Sequence, residues 1–211
     1  MPEKPIVLAT GNPGKLREIA QVLAGLPVDI VGLNELAAIP EPEETGDTFA
    51  RNARDKALYY AQATGQWCLA DDSGLEVDAL GGEPGVRSAR YSSDTVAPGA
   101  GRSIVDLANN TKLLAALEDV PDHLRTARFV CCLALADRSG VLIETSGTFE
   151  GLIARGAAGD NGFGYDPLFY VPDCNCTAAQ LPPEEKNRIS HRGQAVKRFV
   201  ELLADHLARK S

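Results

Sequence analysis

Apolar and polar positions in the first third of the chain alternate between strand-like and helix-like periods. Pro5–Ala9 is apolar and rich in strand formers, Thr10–Gly14 has the composition of a turn, and apolar residues then recur three or four positions apart through Lys15–Leu23. This succession predicts a strand, a loop and a helix. The same pattern predicts a second strand over Val28–Leu33 and a second helix over Thr48–Ala63.

The remainder of the chain adds a hairpin between helical segments. A helix is predicted over Ser103–Leu117, and strands over Arg128–Ala136 and Val141–Phe149 are separated by a polar turn typical of a hairpin. A short strand follows around Leu168–Val171, and a final amphipathic helix runs from about Gly193 to Ala208. The positions of that helix predicted to face inward are Val196, Phe199, Leu202, Leu203 and Leu207. Helices alternate with strands in the first part of the chain, and a hairpin lies in its middle. This order predicts an α/β fold with a mixed sheet.

Length, charge and cysteine content narrow the classes of function. With 211 residues, 44% of them hydrophobic, the chain is long enough for one sizeable compact unit. Its formal net charge of -8 argues against a surface that binds nucleic acid through many phosphate contacts. The apolar run Ile6–Ala9 is too short for a signal peptide or a membrane span, so a cytoplasmic protein is predicted. The five cysteines match no zinc spacing and are predicted to be free thiols.

Two adjacent carboxylates, Asp71 and Asp72, follow the apolar run Trp67–Leu69 and precede Ser73–Gly74. Because acidic residues are poor strand formers and glycine favours turns, we predict that a strand ends at this pair. Successive strand residues point to opposite sides, so one of the two is expected to bind a metal. Mg²⁺ would take that carboxylate, a glutamate of the 41–44 loop and phosphate oxygens. An Asx turn before Ser73–Gly74 is the structural alternative.

A glycine-rich turn, Thr10–Lys15, joins the first strand to the first helix. It is not a P-loop, because two residues rather than four separate its glycines and Leu16 follows the lysine. Oriented amides and the helix dipole still favour an anion there, with a plain connecting loop as the alternative. One face of the second predicted helix carries Phe49, Asn52, Lys56 and Tyr60. A solvated surface position is the alternative for Lys56. Glu41, Glu43 and Glu44 precede this helix, and helix capping is the alternative explanation for their carboxylates.

Two further segments carry candidate chemistry. Phe163–Pro167 combines an aromatic ring, a flexible glycine and a carboxylate, which together suit a flat heterocycle. A tight turn of no functional importance is the alternative. Ser190–Arg192 precedes the last helix and is also compatible with a simple N-cap followed by two exposed basic residues.

Taken in order, the motifs of this chain closely resemble those of the inosine triphosphatase-like family of non-canonical purine nucleoside triphosphate pyrophosphatases. The matching segments are Leu8–Lys15, Glu43–Gly46, Asn52–Ala57, Ala70–Leu75, Pro84–Tyr91, Gly162–Phe169 and Glu184–Gly193. A single such motif would be weak evidence for the family. The complete series covers nearly the whole chain and makes chance similarity implausible.

The resemblance implies a fold and an activity. The fold would be an α/β, elongated mixed-sheet fold of two lobes with a central nucleotide cleft, built as a single domain over residues 1–211. The enzyme would use Mg²⁺ to cleave the α–β phosphoanhydride of ITP, dITP or XTP, releasing the monophosphate and pyrophosphate and so cleansing the nucleotide pool. A homodimer is also implied.

The resemblance further assigns roles to particular residues. Asp72 would be the metal-bound catalytic carboxylate that accepts a proton from the attacking water, with Glu43 or Glu44 assisting at Mg²⁺. The triphosphate would be bound by Thr10, Gly11, Asn12, Pro13, Gly14, Lys15, Lys56 and Ser73. The base would stack on Phe163, within a loop that includes Gly164 and Tyr165. Its edge would be recognised by Asp166, Lys186, His191 and Arg192.

Two other functions compete with this one. Septum-formation-inhibitor-like pyrophosphatases act on pyrimidine or modified nucleotides, but the segments Phe163–Asp166 and Ser190–Arg192 favour a purine. A nucleotide sensor without turnover would not need the acidic pair, so its presence favours an enzyme. The ranking of ITP, dITP and XTP and the means of rejecting guanine stay open at the level of sequence.

Overall fold

Within residues 5–23, 28–36 and 39–209, which the computed structural model describes, the strands form one mixed sheet. Its order is β2-β1-β3-β4-β5-β6-β7. The strands are β1 Ile6–Leu8, β2 Ile30–Gly32, β3 Trp67–Val77, β4 Thr126–Asp137, β5 Gly140–Ile153, β6 Phe169–Val171 and β7 Cys176–Thr177. β1 pairs in parallel with β2 and β3, whereas β6 pairs antiparallel with β5 and β7. The predicted mixed α/β class is confirmed, and β2 is shorter than expected.

The helices that the sequence pattern predicts are all present. The α-helices of the described ranges are α1 Pro13–Leu23, α2 Phe49–Thr64, α3 Arg102–Ala116, α4 Pro183–Ile189 and α5 His191–Ala208. Only α4 was not predicted, because its short, charged sequence has no apolar period. The inward position expected for Leu202 is wrong: this side chain is 44% exposed, because the neighbouring Leu203 occupies the buried face of α5 with Phe199. No helix within the described ranges is long and apolar enough to cross a membrane.

The structure corrects one prediction at the acidic pair. β3 does not end at Asp71 and Asp72 but continues to Val77, which also excludes the Asx turn. Gly74 does not turn the chain; instead it lets another segment approach, since a Cβ there would lie 2.8 Å from the Gly85 carbonyl oxygen. The carboxylates are tolerated inside a strand because cationic and amide side chains pair with them, as described below.

The chain divides into two compact units. Unit 1 comprises Met1–Asp72, Cys131–Thr148 and Ser190–Ser211, and unit 2 comprises Ser73–Val130 and Phe149–Ile189. Each unit has its own apolar core. The assignment of residues 1–211 to a single pyrophosphatase domain stays a prediction.

Unit 1 has a core on each face of its part of the sheet. On one face, Ile19 of α1 and Phe199 of α5 pack in the same cluster as Leu69 of β3. On the other face, Ala57 of α2 packs in the cluster that contains Ala70 of β3. β3 therefore runs between two helical layers, and successive side chains of this strand enter different layers.

Unit 2 is organised around aromatic rings. Phe169 of β6 is fully buried, with its ring centroid 4.5 Å from that of Phe129 and 5.3 Å from that of Phe149. Leu113 and Leu117, in and just after α3, belong to the same cluster. Burial of each such side chain contributes about 1.5–3 kcal/mol, so α3 is firmly attached to the sheet of its own unit.

Candidate functional site

A set of charged side chains gathers around β3 in unit 1. We call this set the charged cluster: Lys15, Glu18, Glu44, Lys56, Asp71, Asp72 and Arg192. The alternation of the strand distributes its members. Asp71 follows Leu69 toward α1 and α5, and Asp72 follows Ala70 toward α2. The two adjacent carboxylates consequently have different environments and different chemistry.

Asp71 is a buried carboxylate held between cations. Its Oδ2 atom lies 2.9 Å from Lys15 Nζ and 3.6 Å from Arg192 Nη2, and its side chain is 0% exposed. Burial by itself would raise the pKa of Asp71, but the charges of Lys15 and Arg192 outweigh it and lower that pKa to about 2. Asp71 therefore stays ionised at neutral pH and is suited to orienting cations rather than to exchanging protons.

Asp72 is the carboxylate with the higher affinity for a proton. Asn52 Nδ2 donates to Asp72 Oδ2 at 2.9 Å, and Asn52 Oδ1 accepts from the Gly46 amide at 2.8 Å, so the partner itself is held in place. Burial and the nearby charge of Glu44 raise the pKa of Asp72, against the opposing effects of Lys15 and Asn52. A carboxylate with a raised pKa in a fixed orientation is suited to accepting a proton from water.

Lys56 lies on the buried face of α2, as the helical spacing predicted. Its ammonium forms an ion pair with Glu44 and lies 3.5 Å from the Asp71 carbonyl oxygen. Burial would lower the pKa of Lys56, but the hydrogen bond and charge of Glu44 outweigh burial and raise it. The alternative of a solvated surface lysine is therefore wrong, and a permanent cation lies beside the acidic pair.

The donor set fits Mg²⁺ shared with a phosphate. Within the part of the chain that the structure describes, no cluster of three or more His, Cys, Asp or Glu side chains could hold a metal by itself. Mg²⁺ commonly uses only one or two carboxylates and completes its shell with water and phosphate oxygens. Asp72 and Glu44 are two such carboxylates, close enough for their charges to interact. Glu43 is exposed, which favours Glu44 of the two glutamates left open by the sequence.

The Thr10–Lys15 turn is closed by its own side chains. Asn12 Oδ1 accepts from the Gly14 amide at 2.9 Å and from the Lys15 amide at 3.4 Å, and Thr10 Oγ1 accepts from the Asn12 amide at 3.2 Å. Asn12 thus acts as the cap of α1. Binding of phosphate by these amides stays a prediction, as does the role of Gly11, and the side chain of Pro13 lies outside the described part of the structure.

In unit 2, the segment Gly162–Asp166 forms a closed turn that we call the 162–166 loop. Asp166 Oδ2 accepts from the Phe163 amide at 2.8 Å and from Lys186 Nζ at 2.6 Å. Gly164 has a φ of 64°, a conformation that side-chain-bearing residues rarely adopt. The Phe163 ring is half-buried, with Lys186 Nζ 5.1 Å from its centroid. The loop therefore presents an aromatic ring on a backbone restrained by a buried ion pair.

Other predicted base-site residues have structural partners in the same unit. Tyr165 is buried, and its hydroxyl donates to the Ser88 carbonyl oxygen at 2.9 Å. Burial raises the pKa of Tyr165 well above its usual range, so the hydroxyl keeps its proton. Ser73, which the resemblance assigns to the triphosphate and not to the base, is half-buried on β3, and its role stays a prediction. Ser88, which sequence reasoning did not single out by role, thus becomes an anchor for the loop.

His191 and Arg192 open α5 in unit 1. The N-cap expected of Ser190 is present, since its Oγ accepts from the Gly193 amide at 3.1 Å. The accompanying expectation of two exposed basic residues is wrong, because His191 is 5% and Arg192 2% exposed. The Arg192 guanidinium forms an ion pair with Glu18 and lies beside Asp71. Sequence reasoning missed Glu18; its position one turn after Lys15 on α1 was the available signal.

Comparison with known proteins identifies the family. The model of the Ham1 family matches residues 6–202. The chain belongs to the Ham1 family. A relative from Desulforamulus reducens, named dITP/XTP pyrophosphatase, is 50% identical, with 94% of this chain and 94% of the relative covered. A second protein of that name, from Photorhabdus laumondii subsp. laumondii, is 49% identical, with 94% of this chain and 97% of the relative covered.

Solved structures agree with the Ham1 assignment. A HAM1 protein from Coxiella burnetii matches with a TM-score of 0.84 and 43% identity over 96% of this chain and 99% of its own. A nucleoside-triphosphatase, or dITP/XTP pyrophosphatase, from Mycobacterium abscessus matches with a TM-score of 0.73 and 44% identity over 92% of this chain and 98% of its own. The family resemblance drawn from the motifs is therefore confirmed.

Proposed function

We propose that this Ham1-family chain is an Mg²⁺-dependent pyrophosphatase that converts ITP, dITP and XTP to the monophosphate and pyrophosphate, removing them from the nucleotide pool. The observation that carries the proposal is Asp72, a buried carboxylate with a raised pKa, oriented by Asn52 and set near Lys56 and Glu44. The names of the relatives, dITP/XTP pyrophosphatase, support the choice of substrate.

The charged cluster supplies what phosphoanhydride hydrolysis requires. Asp72 would orient the attacking water and accept its proton, and Lys15 and Lys56 would bind phosphate oxygens. Asp72 and Glu44 would hold Mg²⁺, which when bound neutralises charge on the triphosphate and helps to align it. Because these two carboxylates would repel a bare triphosphate, we expect the reaction to depend on the metal.

Base selectivity would come from hydrogen-bond donors near the stacking ring of Phe163. Hypoxanthine and xanthine have an oxo group at C6, where adenine has an amino group. A donor such as the Lys186 ammonium or a backbone amide would pair with the oxo group and would face another donor in adenine. A buried site that loses such pairing can reject an analogue by about 10⁴-fold.

Two coarser properties accompany the proposal. We infer that the protein is a homodimer, as the family resemblance implies, and that it acts in the cytoplasm. Light scattering coupled to gel filtration would test the dimer, since a monomer at micromolar concentration contradicts it.

The decisive experiment is a panel of nucleoside triphosphates assayed with Mg²⁺ and with EDTA, in which pyrophosphate and orthophosphate are measured separately. We expect pyrophosphate from dITP, XTP and ITP, little from ATP, and no turnover in EDTA. Orthophosphate as the first product would mean cleavage at the terminal phosphate and a different enzyme. Preference for pyrimidine nucleotides would favour the septum-formation-inhibitor-like function, and tight binding without turnover would favour a sensor.

A further inference from the structure

Both backbone polar groups of Gly164 are bound by the same helix. The Gly164 amide donates to Asp106 Oδ2 at 3.1 Å, and Asn110 Nδ2 donates to the Gly164 carbonyl oxygen at 3.0 Å. Asp106 and Asn110 are four residues apart on α3 and therefore share one face of the helix. All three residues belong to unit 2. We call this arrangement the Gly164 clamp.

A second contact joins α3 to the neighbouring part of the loop. Asn109 Nδ2 donates to the Ser88 carbonyl oxygen at 3.2 Å, and Tyr165 donates to the same oxygen at 2.9 Å. Asn109 is itself fixed, because its Oδ1 accepts from the Ser92 amide and hydroxyl at 2.8 and 2.7 Å. Helix α3 thus restrains the loop directly at Gly164 and indirectly at Tyr165.

The clamp differs from the restraint inside the loop. Asp166 bonds the Phe163 amide, on the N-terminal side of the aromatic ring, whereas the clamp holds the residue that follows the ring. Loop amides and carbonyls on a surface are ordinarily satisfied by water, which imposes no orientation. Two side chains projecting from a packed helix do fix the orientation of the loop backbone. The position of Phe163 therefore depends on α3.

We propose that Asp106 and Asn110 are positioning residues for base selectivity: through Gly164 they fix the ring on which the purine stacks. The proposal rests on the proposed function of the 162–166 loop. It adds a specificity determinant on α3, a helix that the family motifs in this chain do not include. Both residues bond the backbone of the loop that would contact the base, so they should influence KM and base preference more than kcat.

The test compares clamp variants with matched controls on the same helix. Asn110→Asp removes the donor to the Gly164 carbonyl at almost unchanged volume, and Asp106→Leu removes the acceptor. Asp106→Asn keeps an acceptor oxygen and serves as the conservative rescue. Arg102→Ala removes only the ion pair with Asp106, and Thr111→Ala removes a side-chain bond to the Leu107 carbonyl within α3.

We expect the two clamp-breaking variants to raise KM for dITP about tenfold, to narrow the dITP-to-dATP ratio of kcat/KM by a similar factor, and to change kcat by less than about twofold. Asp106→Asn and both controls should match the wild type. Clamp-breaking variants with wild-type KM and selectivity would overturn the proposal, as would an equal effect of Arg102→Ala.

Hydrogen exchange of the peptide covering residues 160–168 provides a readout that does not need turnover. We expect faster exchange in Asn110→Asp and Asp106→Leu and unchanged exchange in the controls. Unchanged exchange in all variants contradicts the clamp itself. If the wild-type protein releases no pyrophosphate from any nucleotide, the proposed function fails while the exchange data still decide the clamp. Faster exchange with unaltered selectivity would overturn the specificity role.

Discussion

The charged cluster of unit 1 and the 162–166 loop of unit 2 differ in how they are made. The charged cluster packs ionised side chains against one another, so that Lys15 and Arg192 lower the pKa of Asp71 while burial and Glu44 raise the pKa of Asp72. The loop relies mainly on backbone amides and carbonyls bound by side chains, with Lys186 and Asp166 as its buried ion pair. Charge suits phosphate and metal chemistry, whereas directional hydrogen bonds suit recognition of a neutral base. The difference indicates that rate and base preference can be altered separately.

For Arg192 the role at the edge of the base stays a prediction, and its observed partners add a structural role in unit 1. Motif resemblance places it at the edge of the base, together with Lys186. In the structure Arg192 is buried in unit 1, paired with Glu18 and beside Asp71. Its partners Glu18 and Asp71 belong to the charged cluster, whereas Lys186 bonds Asp166 of the 162–166 loop. The two residues should therefore respond differently to substitution.

The largest effect is expected from Asp72→Asn, which should lower kcat by about 10²–10⁴-fold for every accepted nucleotide alike. Asparagine keeps the size of the side chain and can still accept from Asn52, so binding and folding should persist. Pyrophosphate release from dITP and ITP measures the effect, with Asp55→Asn on the exposed face of α2 as the matched control. A variant that turns over at the wild-type rate would remove Asp72 from the mechanism.

Arg192→Met should act on stability. Removing one member of a buried ion pair leaves Asp71 and Glu18 with fewer counter-charges, at a cost of about 3–5 kcal/mol in the free energy of unfolding. Urea denaturation measures this cost, and Arg198→Met, an exposed position on the same helix, is the control. At temperatures where the variant stays folded, its dITP-to-dATP selectivity should equal that of the wild type. Loss of selectivity would instead support the role at the edge of the base that the resemblance assigns to Arg192.

Lys186→Met should act on base recognition. The substitution removes the charged hydrogen bond to Asp166 and the cation beside Phe163. KM for dITP should therefore rise about 10–100-fold and the dITP-to-dATP ratio of kcat/KM should fall, while kcat changes little. The exposed Arg188→Met on α4 is the control. An equal loss of kcat for all nucleotides would contradict the claim that the charged cluster sets the rate and the 162–166 loop sets base preference.

The smallest effect is a pH dependence of stability carried by Asp71. The folded-state pKa of this group, about 2, lies below its ordinary value of 3.8, so the folded protein binds its proton less readily than the unfolded chain. Its stabilising contribution, about 2 kcal/mol, is present above about pH 5 and is lost as the pH falls toward 2. Urea denaturation in EDTA at stepped pH, with wild type compared with Asp71→Asn, measures it. A difference between the two proteins that does not vary with pH would contradict the ion pairing.

Local pattern was enough to predict most of the secondary structure. The helical spacing of Phe49, Asn52, Lys56 and Tyr60 identified the buried face of α2 because such spacing depends only on helix geometry. The end of β3 was mispredicted because strand propensity counts a carboxylate as unfavourable, whereas long-range partners of Asp71 and Asp72 make it acceptable here. The Gly164 clamp left no motif, since its members lie more than fifty residues apart in sequence.

By itself the amino-acid sequence determined the order of helices and strands, the family and the residue types available for chemistry. The tertiary structure alone decided what each carboxylate does: Asp71 is neutralised by cations from α1 and α5, and Asp72 is left with the higher proton affinity beside Glu44. The reason is physical. Periodicity and propensity act between neighbours along the chain, whereas a pKa is set by burial and by charges brought near through folding, and adjacent residues of a strand enter different surroundings.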